Sequence, residues 1–242
     1  LDNSYPIEVT APDIAPYRAG NTGVEYVTRL ASGAAGPDVV LVALMHGNEI
    51  CGAIALDLLF RKAVRPVRGC LTLVFANHAA FGRFDPGDPT SSRFVDQDLN
   101  RVWSPAILDG PAKSVELLRA RQLRPIIDGA DYLLDIHSMQ HATPALMLAG
   151  PLAKGRALAR QVTYPAHIMC DAGHAAGPRL RDYGGFGDPA SPKNALLVEC
   201  GQHWALGSAD VAIETMFRFL LVLDVIDPAA ARPHLSSDPP VP

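Results

Sequence analysis

Two residues that can bind a metal ion or move a proton follow an apolar stretch in the first quarter of the chain. His46 and Glu49 stand three positions apart in "ALMHGNEI", directly after the apolar run "DVVLV". Imidazole and carboxylate are both zinc ligands, and a catalytic zinc site takes three protein ligands and leaves one position for water. The pair alone is weak evidence, because His-x-x-Glu arises often by chance and both residues are ordinary at a strand end and a helix start.

Two further polar residues end apolar stretches later in the chain. His137 follows "YLLDI", and Glu199 follows "ALLV". His137 is a suitable third zinc ligand, whereas a carboxylate such as Glu199 is costly to bury unless it meets a metal site, a proton or a cation. By the two-residue period of a strand, Asp135 points to the same face as His137 and could orient its imidazole. The alternatives are a surface glutamate at position 199 and a turn-capping Asp135.

A long polar segment, residues 78–104, contains "RFVDQDLNRVW". Arg93 and Arg101, beside Asn100, could form a receptor for a carboxylate, since a guanidinium pairs with it through two parallel hydrogen bonds. A loop of this length inside a compact domain usually carries function. The alternative is a solvated basic loop whose charge is balanced by Asp96 and Asp98.

Alternating strands and helices are needed to bring these residues together. The sequence predicts strands at residues 7–9, 24–28, 38–45, 70–77, 131–138, 145–150, 166–171 and 194–201. It predicts helices at residues 49–63, 113–128, 152–162 and 209–226, a helix capped by Ser104, and a kink or break at Pro125. We therefore expect an α/β fold with a mixed, mainly parallel β-sheet and helices on both faces. Such sheets bind ligands at the carboxyl ends of their strands, where His46, His137 and Glu199 are expected to meet.

The overall composition is that of a globular protein with a sizeable core. The chain has 242 residues, 48% hydrophobic and 19% charged, with a formal net charge of −4. This charge gives no reason to expect nucleic acid or an anionic membrane as a partner, and no apolar run approaches the ~20 residues of a membrane helix. The four cysteines are widely spaced, so we expect reduced thiols and a cytoplasmic protein. A homo-oligomer is possible.

Four short motifs carry a resemblance to a known family. "HGNE", "DLNR", "DIHS" and "VECG", in this order between about residues 38 and 202, resemble the succinylglutamate desuccinylase/aspartoacylase family, relatives of the zinc carboxypeptidases. The resemblance implies one Zn²⁺ per chain, and it assigns the site residues as follows. Zinc would be held by His46, Glu49 and His137, with Glu199 as the catalytic carboxylate, Arg93 polarising the scissile carbonyl, and Asn100 and Arg101 gripping the substrate's carboxylate.

The chain departs from the family pattern in places. It reads Asn77-His78 where the family often reads Asn-Pro, and "VWSP" follows "DLNR" in place of Phe-Pro-Gly or a similar turn. Family members usually carry a β-rich C-terminal domain that caps the site. We therefore expect a zinc hydrolase α/β domain over residues 1–226, followed at 227–242 by a Pro-rich tail or a linker to a missing domain.

The predicted function is zinc-dependent hydrolysis of a small N-acyl amino acid, a deacylase or aminoacylase reaction on a linear amide. The alternatives are a zinc carboxypeptidase that acts on short peptides, a catalytically silent zinc-binding module, and an α/β binding protein without metal. The acyl group and the amino acid stay open. So do the roles of four residues: Arg179, Arg181 and Tyr183 could contact substrate, whereas for His203 a packed or solvated side chain is favoured over one that lines the pocket.

Overall fold

A seven-stranded sheet forms the centre of the domain within residues 5–236, the part of the chain that the computed structural model describes. The strands are β1 (Val27–Ala31), β2 (Asp38–Ala43), β3 (Cys70–Phe75), β4 (Tyr132–Met139), β5 (Leu146–Leu148), β6 (His167–Met169) and β7 (Asn194–Gln202). Their order across the sheet is β1-β3-β2-β4-β7-β5-β6.

The four central strands are parallel, and this places the site. β3, β2, β4 and β7 pair in parallel, whereas β1 runs antiparallel to β3 and β5 runs antiparallel to β7. In the register of β4 and β7, His137 lies opposite Glu199. Since β2 is the other neighbour of β4, its following turn delivers His46 to the same edge. The sheet is thus mixed and mainly parallel, as the sequence predicts.

Helices cover both faces of the sheet. The α-helices within the described residues are α1 (Ile50–Arg61), α2 (His78–Phe81), α3 (Pro105–Leu108), α4 (Val115–Gly129), α5 (Ala153–Val162), α6 (Leu206–Val222) and α7 (Pro228–Ala231). Along β2, Leu41 packs in one buried cluster with residues of α1, α5 and α6, while Val40 and Val42 pack in another with residues of α4. The strand is apolar throughout because both of its faces are buried.

The starts of α2 and α3 follow the expected capping chemistry. The Ser104 hydroxyl accepts a hydrogen bond from the N–H of Ile107 at the start of α3, and Asn77 caps α2 in the same way. His78, which departs from the family pattern, is the first residue of α2, a position where proline and other residues are both accommodated. α4 continues through Pro125, so the predicted break does not occur; Pro125 is exposed, and a carbonyl without its helical partner can bind water there.

Residues 7–9 and the predicted tail differ most from the prediction. Residues 7–9 are not a strand: the N–H of Glu8 donates to the carbonyl of Trp204 at 2.9 Å, and Val9 packs beside that indole, without ladder pairing. Within the predicted tail, α7 and a 3-10 helix at Arg232–His234 follow one another, and Ala231 is buried. Residues 237–242 of that tail lie outside the described part. Between residues 5 and 236, none of the helices has the length and apolarity needed to cross a membrane.

Candidate metal centre

His46 lies in a turn that is held in an unusual backbone conformation. Leu44, just after β2, has φ of 59°, a left-handed value that residues other than glycine disfavour. It is fully buried, and the N–H of Asn77 donates to its carbonyl at 2.7 Å. Backbone strain of this kind persists where the surrounding packing fixes it, and it clusters at functional sites.

The glycine of "HGNE" lets the long loop approach this turn. A Cβ at Gly47 would lie 2.4 Å from the carbonyl oxygen of Ser92, closer than any side chain allows. The N–H of Gly47 donates to the carbonyl of Arg93 at 3.0 Å. Glycine is therefore required here because backbone packs on backbone, and the contact brings Arg93 beside His46.

Three buried side chains converge at the end of the sheet. Nδ1 of His46 lies 2.7 Å from Oε1 of Glu49, and Nδ1 of His137 lies 2.8 Å from Oε2 of the same carboxylate. Glu49 is the N-cap residue of α1, so the helix begins at Ile50, one position after the predicted start at residue 49. One ligand atom from each of the three residues lies within 4.8 Å of the other two.

The donor set fits a divalent cation. Oε2 of Glu49 is hidden from solvent and, among the described residues, has no partner with hydrogen-bond geometry despite its closeness to His137. His46 satisfies Oε1 of Glu49, so the unpartnered Oε2, which faces the His137 imidazole, is the atom that a cation such as zinc would satisfy. Burial would raise the pKa of Glu49, but the two facing imidazoles outweigh it and hold the pKa well below its usual range.

Each imidazole has a second carboxylate on its far nitrogen. Nε2 of His137 lies 2.9 Å from Oδ2 of Asp135, and Nε2 of His46 lies 2.8 Å from Oδ1 of Asp98. Against the cost of burial, these carboxylates and Glu49 raise the pKa of both histidines. Carboxylates in this position fix the orientation of metal-binding histidines. Asp135 was predicted for this role, whereas Asp98 was considered only as a charge that balances the arginines. The first position of the motif "DLNR" was the sequence feature that could have identified Asp98.

Glu199 lies beside the three donors. It faces His137 across the β4–β7 pair, and its Oε2 is hidden from solvent without a hydrogen-bond partner among the described residues. Burial, reinforced by the charge of Glu49, raises the pKa of Glu199 to about 8 against the opposing effect of His137 and His46. A buried carboxyl group with its pKa in this range can both accept and release a proton near neutral pH.

The loop residues complete one cavity. A cavity of about 350 Å³ is lined by all seven predicted site residues, His46, Glu49, Arg93, Asn100, Arg101, His137 and Glu199. Nη2 of Arg93 lies 3.0 Å from Nε2 of His46 and 3.3 Å from Oδ2 of Asp98. Arg101 donates to the carbonyl of Asn100 at 2.7 Å, and burial lowers the pKa of its guanidinium.

The two atoms of the Asn100 side-chain amide make different contacts. Its Oδ1 accepts a hydrogen bond from the N–H of Leu180 at 2.8 Å, and its Nδ2 lies 3.4 Å from Nε2 of His137. The oxygen is therefore committed to holding the loop against residue 180. The amide nitrogen of Asn100 lies near Nε2 of His137, the ring nitrogen that also faces Asp135.

The four unassigned residues take different places. Arg179 lines the cavity but pairs with Asp171 at 2.8 and 3.1 Å and also with Asp182. Arg181 and Tyr183 do not line this cavity within the described residues; both are buried, and the Tyr183 hydroxyl accepts from Arg124 at 3.1 Å.

His203 is buried and lines the same cavity, with Nδ1 2.8 Å from the Ser138 hydroxyl oxygen. Burial and nearby positive groups lower the pKa of His203 to about 4, so it is neutral at pH 7. His203 therefore lies in the cavity wall, the alternative that the sequence disfavoured, and it is buried there and not solvated.

Comparison with solved structures defines the class. Over residues 5–236 the chain has the zinc-carboxypeptidase-like α/β fold, which it shares with murine aminoacylase 3 at 22% identity and a TM-score of 0.54, over 79% of this chain and 67% of that one. A succinylglutamate desuccinylase from Silicibacter sp. TM1040 aligns with a TM-score of 0.66 and 19% identity over 89% of this chain. A succinylglutamate desuccinylase/aspartoacylase from Rhodobacter sphaeroides aligns with a TM-score of 0.63 and 20% identity over 84% of this chain.

The family follows from the sequence match. The family model of the succinylglutamate desuccinylase/aspartoacylase catalytic domain matches residues 35–210 of the 242, so the chain belongs to this family of deacylases. No curated protein matches the chain. The chain spans 65% of the length of the Silicibacter protein and 60% of the Rhodobacter protein.

Proposed function

We propose that this chain hydrolyses the amide bond of a small N-acyl amino acid with the help of a zinc ion held by His46, Glu49 and His137. The observation that carries the proposal is the convergence of these three buried donors beside Glu199 in one cavity. Membership in a family of deacylases supports the reaction type. A zinc ion supplies Lewis acidity when bound, because it lowers the pKa of a water to ~7 and polarises a carbonyl.

Glu199 is the proposed general base and acid. It accepts a proton from the attacking water and passes it to the leaving nitrogen, which becomes an amine. A positioned acid–base group typically accelerates a reaction by about 10²–10⁴. Glu199 lies opposite His137 on the neighbouring strand, so the sheet itself sets its position against the metal centre. A cation bound there would lower the pKa of Glu199 from its raised value and favour the proton-accepting form.

Arg93 and Arg101, at the two ends of the segment "RFVDQDLNR", are proposed to act on different parts of the substrate. Arg93 reaches the metal centre and would stabilise the negative charge that develops on the carbonyl oxygen. Arg101 lines the cavity and, among residues 5–236, its one carboxylate partner is Asp98 at 3.9 Å, so its guanidinium can bind a substrate carboxylate. Asn100, which lines the same cavity, is proposed to assist it in binding the carboxylate.

Replacing Arg101 with alanine should weaken substrates that bear a carboxylate far more than neutral ones. A hydrogen bond to a charged group contributes ~1.5–3 kcal/mol, which corresponds to an increase in KM of about 10- to 100-fold. The measurement is steady-state kinetics on an N-acyl amino acid and on its carboxamide. Arg83→Ala is the matched control, since Arg83 is exposed on the same loop segment. An equal loss on both substrates would refute the carboxylate receptor.

The reaction type is tested by a panel of acetyl, formyl and succinyl derivatives across amino acids, with short peptides as the comparison. We expect release of free amino acid from at least one N-acyl derivative, and a much lower rate on peptides. Cleavage of peptides alone, from the C-terminus, would favour the carboxypeptidase alternative. Absence of turnover with zinc bound would favour the silent module. Cytoplasmic location and homo-oligomer formation stay predictions.

A further inference from the structure

A buried carboxylate outside the cavity holds the segment that carries the arginines. Glu116, in the first turn of α4, is fully buried. Its Oε1 accepts from the N–H of Val95 at 2.6 Å and from Nδ2 of Asn77 at 3.1 Å. Its Oε2 accepts from the N–H groups of Asp96 and Gln97 at 3.0 and 3.2 Å. Three successive backbone N–H groups therefore point at one carboxylate.

The same segment is tied to α4 from the other side. Oδ2 of Asp96 accepts from the N–H of Val115 at 2.8 Å, and the side-chain amide of Gln97 donates to the hydroxyl of Ser114, the N-cap residue of α4. Residues 95–97 therefore donate to Glu116 and Ser114, and in return Asp96 accepts from the N–H of Val115. A negative charge in the first turn of a helix is also favoured by the helix dipole.

The clamped residues stand between the proposed functional ones. Arg93 lies two positions before residues 95–97, and Asp98 comes directly after them, followed by Asn100 and Arg101. A backbone shift of the clamped segment would therefore move Arg93 and Asp98 away from His46 together. Misplacement of catalytic groups by about 1 Å can cost about 10²-fold in rate.

We infer that Glu116 is a positioning residue for the deacylation, acting through the 95–97 segment on Arg93, Asp98 and Arg101. The expected change in kinetics rests on the proposed function. The expected loosening of the 95–97 backbone does not. Glu116 does not line the cavity, so it is not proposed to contact substrate. Its carboxylate acts because one buried side chain accepts from three successive backbone N–H groups and so fixes the path of the 95–97 backbone.

The test is Glu116→Gln, which keeps the size of the side chain but turns one acceptor oxygen into a donor. Two of the four hydrogen bonds then face an NH₂ group. We expect amide hydrogen exchange at residues 95–97 to speed up at least about 10-fold. We also expect kcat/KM on the best N-acyl amino acid to fall at least about 10-fold, with kcat and KM both changed, at a temperature where circular dichroism shows a folded protein.

Glu214→Gln is the matched control, since Glu214 is also a buried helical glutamate but bonds Arg218 and Ser236 away from the cavity. We expect it to lower Tm without changing exchange at 95–97 or the kinetics. If Glu116→Gln does not fold, Asp96→Ala removes the exposed side of the same clamp and should produce a smaller change of the same kind. Unchanged exchange at 95–97, or unchanged kcat and KM, in the folded variant overturns the inference. An inactive wild type refutes the proposed function instead, and the exchange measurement still decides the clamp.

Discussion

Glu199→Gln should lower kcat by about 10²–10⁴ while the protein keeps its metal and its fold. Glutamine has nearly the same shape but cannot take a proton from water or deliver one to the leaving amine. Glu199 is outside the group of three convergent donors, so its neutralisation leaves that group intact. The measurements are single-turnover kinetics with saturating substrate and metal content by mass spectrometry.

Glu25→Gln is a suitable control, because Glu25 is an exposed glutamate that pairs with Arg18. It should have wild-type kcat. Turnover by Glu199→Gln within a factor of two of the wild type would remove Glu199 from the mechanism. Loss of metal together with activity would make Glu199 part of the metal site, contrary to the assignment.

His137→Ala should abolish both metal binding and turnover. The substitution removes one of three donors, and the cost must exceed the 10–100-fold that loss of an outer carboxylate partner typically causes in metal affinity. We therefore expect zinc affinity to fall by more than about 100-fold and activity to fall below detection at equimolar zinc. Competition with a coloured chelator measures the affinity directly.

His203→Ala is the matched control for the metal measurement. His203 is buried and lines the same cavity as His137, but it does not belong to the convergent group. It should retain zinc at one ion per chain. If His203→Ala and His137→Ala lose zinc equally, the ligand set proposed here is wrong.

The strands that carry the site were predictable because both of their faces are buried. β2 is apolar after Asp38, and β4 and β7 contain the apolar runs 132–134 and 195–198, so the polar residues that follow these runs stand out. Residues 7–9 misled the prediction, because a short apolar alternation does not show whether a neighbouring strand is available to pair with it. β1 was predicted three residues early at each end, since its alternating burial gives a weaker signal.

The partners of the site residues were harder to predict than the residues themselves. Asp98 contacts His46, which is 52 positions away, and Glu116 contacts Asp96, which is 20 positions away. Neither hydrophobic periodicity nor motif spacing in the sequence encodes such contacts. Gly47 belongs to a quoted motif, but its need for a bare backbone is evident only from the loop packed on it. Sequence patterns thus located the donors, and the packing of the loop identified what orients them.

Diffraction data collected on both sides of the zinc absorption edge, from crystals grown with zinc, test the central claim most directly. We expect one anomalous peak per chain, about 2.0–2.2 Å from Nδ1 of His46, Nδ1 of His137 and a carboxylate oxygen of Glu49. Ordered density for all three side chains with no peak between them, or a single peak elsewhere, would contradict the assignment of this metal centre.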